Sequence, residues 1–134
     1  MSTKRSETFE LRRSEDLVRL RHAVREWMAE LGFSLVDQTK MMTAASELGR
    51  NALDYAGTGV VHGEVVGDGL RTGLRLVFED HGPGIANIPQ AMTDGFSTSG
   101  GLGLGLSGSR RLVNEFDIRS TPGEGTRITI TRWK

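Results

Sequence analysis

Ser46-Glu47-Leu48-Gly49-Arg50-Asn51-Ala52-Leu53-Asp54 is the stretch from which the rest of this sequence can be read. Its apolar residues belong to a longer series: Met41, Ala44, Ala45, Leu48, Ala52 and Tyr55. Their period of about 3.6 residues predicts an amphipathic helix from Asp37 to Ala56, ended by Gly57. Glu47, Asn51 and Asp54 then share one edge of that helix, beside the apolar stripe. The amide oxygen of Asn51 is a hard neutral ligand suited to Mg²⁺, an ion that draws its other ligands from water and phosphate. Glu47, one turn away, is placed to accept a proton. A lone Glu-x-x-x-Asn is also a common pattern on solvated helix edges, so the pair needs support from elsewhere.

Support comes from Asp80-His-Gly-Pro-Gly84 and Gly100-Gly-Leu-Gly-Leu-Gly105. Leu74, Leu76 and Phe78 form one face of a predicted strand, and Asp80 continues their parity toward the core. A carboxylate turned inward needs a donor, which the exocyclic amino group of adenine would supply and the oxygen of guanine would not. The competing reading folds Asp80 back onto its own turn. Gly82 and Gly84 bracket Pro83 and let a flat base approach, with Ile85 set to lie against it. Gly101, Gly103 and Gly105 run into a helix predicted from Leu104 to Glu115, where free N–H groups can hold a polyphosphate. The only lysines, Lys4, Lys40 and Lys134, are not placed as in a Gly-x-x-x-x-Gly-Lys loop. Gly103-Leu-Gly-Leu-Ser-Gly108 matches a dinucleotide fingerprint in letters alone, because no apolar strand precedes it. Thr126 shares parity with Ile128 and Ile130, which turns its hydroxyl inward either to support adenine through water or as an ordinary strand residue. Together these segments read as a site for ATP and Mg²⁺.

The remaining elements surround that site. Phe9 and Leu11 predict a first strand reaching Arg13, and Ser14 a cap for a helix whose apolar face is Leu17, Leu20, Val24, Trp27, Met28 and Leu31, stopped by Gly32. Val60–Val66 and Leu74–Glu79 predict a hairpin through Gly67-Asp-Gly69. Residues 86–101 read as a mobile loop with one helical turn near Ala91, placed as a lid. Strands Asp117–Ser120 and Thr126–Trp133 close the chain around Pro122-Gly-Glu-Gly125. The expected class is α/β, a two-layer sandwich of a mixed, mostly antiparallel sheet with helices on one face.

At 134 residues the chain reads as a single domain, 1–134. Lysine plus arginine (17) balances aspartate plus glutamate (17), so no global field draws in nucleic acid or an anionic membrane. Cysteine is absent and no apolar run is long enough to span a bilayer, which together imply a soluble, cytoplasmic protein. His22, His62 and His81 lack metal-ligand spacing, Arg110 and Arg111 read as a solvated helix face, and Ser97-Thr-Ser99 reads as loop rather than nucleophile.

In order along the chain, Glu47-x-x-x-Asn51, Asp80-x-Gly82-x-Gly84, the glycines at 101, 103 and 105, and Gly125-Thr126 resemble the motifs of the GHKL (Bergerat-fold) ATPases and kinases. Asp94-Gly-Phe-Ser-Thr-Ser-Gly-Gly-Leu-Gly103 is similar to the RsbT-type branch of bacterial partner-switching serine/threonine kinases. The resemblance implies Mg-ATP binding, with Asn51 on the metal, Asp80 on adenine and Glu47 as catalytic base. It also implies a serine on a STAS-domain antagonist or scaffold protein as substrate. The released kinase is then expected to bind and activate a PP2C-type phosphatase in stress-response signalling. Related anti-sigma kinases of this fold sequester a sigma factor instead, and an ATP-binding switch without turnover is a further alternative.

Overall fold

The computed structural model describes residues 5–92 and 105–134. In chain order these form β1 (Ser6–Leu11), α1 (Ser14–Glu30), α2 (Leu35–Ala56), β2 (Gly59–Gly67), β3 (Thr72–Asp80), a single turn α3 (Ile88–Ala91), α4 (Gly105–Arg111), β4 (Glu115–Thr121) and β5 (Gly125–Trp133). The strands make one five-stranded sheet in the order β1-β2-β3-β5-β4, antiparallel at every pairing rather than mixed. β2–β3 and β4–β5 are consecutive antiparallel pairs, whereas β3 and β4, both antiparallel to β5, run parallel to each other and are joined by a crossover that includes α3 and α4, with β5 inserted between them.

Strand alternation sorts the two faces of this sheet. Leu11, Val61, Leu74, Leu76, Phe78, Ile128 and Ile130 are buried on one face beneath α1 and α2. The other face carries Glu64, Arg75, Glu79, Glu115, Asp117 and Arg127, with Arg75 near Glu64 (3.7 Å) and Glu115 (3.9 Å) and Arg127 near Glu79 (3.4 Å). Such exposed pairs contribute little stability, and the apolar face provides most of it. Two glycines let the layers approach: a side chain at Gly49 would meet Leu17 at 2.6 Å, and one at Gly63 would meet Trp27 at 2.6 Å.

Helix ends depart from the sequence reading in informative ways. Ser14 is the first residue of α1, not its cap, because the Asp16 carboxylate accepts the N–H groups of Arg12 (2.8 Å) and Arg13 (3.2 Å) and stops β1 at Leu11. α2 starts two residues before Asp37, since Ser34 Oγ accepts the Asp37 N–H and caps it. Tyr55 is 41% exposed rather than part of the buried stripe, because it lies in the last turn beyond the sheet's cover. α4 ends at Arg111, and Glu115 already belongs to β4. The β2–β3 turn is Asp68–Arg71, where Asp68 Oδ1 accepts the N–H groups of Leu70 and Arg71. No described helix is long and apolar enough to cross a membrane.

Candidate functional site

The site is built where β3 ends against the turn between β4 and β5. Asp80 and Thr126 are register partners, as are Thr126 and Ser120, so three polar residues form one row across three strands on the helix-covered face. Parity in the sequence anticipated two of the three. Ser120 shares the parity of Phe116 and Ile118, but its place at the end of a short strand gives no sequence signal for its part in the row.

Two turns interlock to hold this row. Gly84 has φ +77°, and a Cβ there would lie 2.4 Å from Thr121 O; Gly125 has φ +128°, and a Cβ there would lie 2.1 Å from Asp80 O. Neither backbone path is open to a residue with a side chain. Gly123 N–H donates to Pro83 O at 2.7 Å, and Ile85 N–H donates to Ser120 Oγ at 2.7 Å, which ties residues 83–85 to the opposite turn. Gly82 N–H donates to Asp80 Oδ1 at 3.0 Å. One carboxylate oxygen thus serves the turn, as the competing reading had it, while Oδ2 takes no hydrogen bond among the described residues.

α2 brings the other half. Gly82 sits so close to Ala56 that a Cβ would lie 2.7 Å from the Ala56 methyl, which seats the end of α2 on the Asp80 turn. Along that helix Glu47 and Asn51 are both half-buried, one turn apart, and Asp54 is exposed. The Asn51 amide has no hydrogen-bond partner among the described residues. Ser46 Oγ, next to Glu47, is buried without a partner among them. Ile85 is partly buried and lies against the core. Gly105 opens α4, while Gly101, Gly103 and residues 93–101 of the expected lid lie outside the described residues. The expected helical turn near Ala91 is α3, capped by Asn87 Oδ1 accepting the Gln90 N–H at 3.0 Å.

The N-terminus of α2 is anchored by a contact absent from the sequence reading. Arg132, on the covered face of β5, donates to Asp37 Oδ1 through Nε (3.1 Å) and Nη2 (2.6 Å), and to Leu112 O through Nη1 (2.8 Å). The Arg132 hydrogen bonds hold the Asp37 carboxyl below its usual range. Of the histidines, His62 shares a hydrogen bond with Thr8 Oγ1 at 3.0 Å, while His22 and His81 are exposed.

Residues 36–134 match the family described as histidine kinase-, DNA gyrase B- and HSP90-like ATPase. The chain is 50% identical over 118 residues to the serine/threonine-protein kinase RsbT of Bacillus subtilis, covering 88% of this chain and 89% of the relative. It is 29% identical over 119 residues to the anti-sigma F factor of Anoxybacillus flavithermus, covering 84% and 80%. Among solved structures it matches the RsbU and RsbW domains of a Mycobacterium tuberculosis protein with TM-score 0.68 and 26% identity, covering 96% of this chain and about a third (32%) of that one. The mycobacterial sensor histidine kinase MprB shares the fold, with TM-score 0.56 and 20% identity over 95% of this chain and 96% of that one.

Proposed function

The chain belongs to the histidine kinase-, DNA gyrase B- and HSP90-like ATPase family, and we propose that it works as an RsbT-type, ATP-dependent protein serine/threonine kinase. The observation that carries the nucleotide half is the Asp80–Thr126 register pair, with Asp80 Oδ2 left over from the turn to accept a hydrogen bond. In this reading Oδ2 receives the adenine amino group, Gly82 and Gly84 give the base room, and Ile85 lies along it. Gly101, Gly103 and Gly105 line the phosphates.

Asn51 suits Mg²⁺, because its amide oxygen is a hard neutral ligand and is uncommitted among the described residues. When bound, the ion neutralises charge on the transferring phosphoryl group. Glu47 takes the proton from the attacking serine hydroxyl as the new P–O bond forms and the bond to the ADP leaving group breaks.

The substrate serine lies on a STAS-domain antagonist or scaffold protein, and the released kinase binds and activates a PP2C-type phosphatase in the cytoplasm. Likeness to anti-sigma F factors supports a second reading, in which the same kinase sequesters a sigma factor. Incubation with Mg-ATP and a STAS-domain protein is expected to phosphorylate the latter, and Glu47→Ala to abolish transfer while sparing nucleotide binding. Undiminished transfer by Glu47→Ala would overturn the base assignment, and capture of a sigma factor without a phosphatase would favour the second reading.

A further inference from the structure

Ser120 is the one member of the Asp80–Thr126–Ser120 row to which neither the sequence motifs nor the proposed chemistry gives a task. Its Oγ lies 2.7 Å from Ile85 N, 3.0 Å from Gly125 O and 2.8 Å from Thr126 Oγ1. A hydroxyl has one proton and two acceptor positions. The Ile85 amide only donates and the Gly125 carbonyl only accepts, so all three contacts are satisfied together only when Ser120 gives its proton to Gly125 O and one lone pair to Ile85 N–H. What remains on Ser120 Oγ is a lone pair, and the contact with Thr126 is satisfied only when Thr126 donates.

We infer that Ser120 is a specificity-determining positioning residue that captures the Thr126 proton and leaves Thr126 facing the base site as an acceptor. Thr126 Oγ1 then joins Asp80 Oδ2 in a pair of acceptors, matched to the two hydrogens of an exocyclic amino group and opposed to a carbonyl oxygen. Ser120 acts through Thr126, not on the nucleotide. This inference rests on the ATP reading of the site and goes further by assigning its base selectivity to a second strand.

The test measures ATP and GTP affinities for wild type, Ser120→Ala, Ser120→Thr, Thr126→Val and the double variant Ser120→Ala/Thr126→Val. Freed of Ser120, the Thr126 proton can turn toward a carbonyl, so the ATP-to-GTP affinity ratio is expected to fall about fivefold in Ser120→Ala, the worth of one hydrogen bond. It is expected to recover in Ser120→Thr, which keeps the hydroxyl. Adding Thr126→Val to Ser120→Ala is expected to remove that effect, so the two changes are not additive. Equal loss of ATP and GTP affinity in Ser120→Ala, or strict additivity in the double variant, would overturn the inference alone, since either would leave Ser120 a mere tie between turns. Failure of the wild-type protein to bind ATP would overturn the inference together with the reading beneath it.

Discussion

Arg132 Nη2 lies 2.6 Å from Asp37 Oδ1, joining the last strand to the first turn of α2 across 95 positions of sequence. Arg132 is only 13% exposed at its side chain, and its third donor reaches Leu112 O just past α4. One guanidinium therefore fixes the helix that carries Glu47 and Asn51 relative to the end of α4.

That pair makes stability depend on acidity. The Asp37 carboxyl is held below 3.8 by Arg132, so its contribution is complete above that value and is lost as pH falls through the lower folded-state value. Asp37→Asn is expected to cost about 1–2 kcal/mol at neutral pH. Urea unfolding of both proteins should show the gap narrowing once pH drops below 3.8. A gap that persists unchanged in acid would mean that charge is not its source.

Asp80→Asn separates the two oxygens of that side chain. The amide can keep its oxygen on the Gly82 N–H and place its NH₂ where Oδ2 was, so the turn survives while an acceptor becomes a donor. ATP affinity measured by calorimetry is expected to fall at least about tenfold, with the midpoint of thermal unfolding nearly unchanged. A large drop in Tm would show instead that the carboxylate serves mainly the turn.

The two glycines of the β4–β5 turn are expected to respond differently to the same substitution. Gly123 has φ +82° with nothing within 4 Å of an added Cβ, so Gly123→Ala should cost only about 1 kcal/mol of strain. At Gly125 the added carbon would lie 2.1 Å from Asp80 O, so Gly125→Ala should cost several-fold more and abolish ATP binding. Comparable stabilities for the two variants would contradict the interlock.

Two serines at helix starts offer a paired control. Ser34 Oγ accepts the Asp37 N–H at 3.1 Å, so Ser34→Ala should destabilise by about 1 kcal/mol. Ser14 lies inside α1, after the N-cap Arg13 whose N–H donates to Asp16, and its hydroxyl caps nothing, so Ser14→Ala should be near neutral in the same denaturation assay.

What the sequence reveals here is what alternation and helical period encode. Asp80 and Thr126 could be turned inward because each extends a run of alternating apolar residues, and the register places them opposite each other. Glu47 and Asn51 follow from the spacing of α2. Ser120 escapes because its partners come from two distant turns, and their closeness depends on glycine backbones interlocking in space. Arg132 is similar: its parity with Ile128 and Ile130 puts a charge inward, yet nothing near it in sequence names Asp37 as the partner. Tyr55 shows the converse limit, a helical period that outlasts the surface it would cover.

The β2–β3 turn offers a practical handle on the molecule. Asp68–Arg71 lies at the start of β3 and Asp80 at its end, a separation of roughly 26 Å at about 3.3 Å per residue. Leu70 at its tip is 95% exposed, and the turn is closed by its own side chains. A fluorophore or immobilisation tag placed there would sit far from the proposed base site, whereas an insertion into 80–85 or 121–125 would prise apart the two interlocked glycine turns.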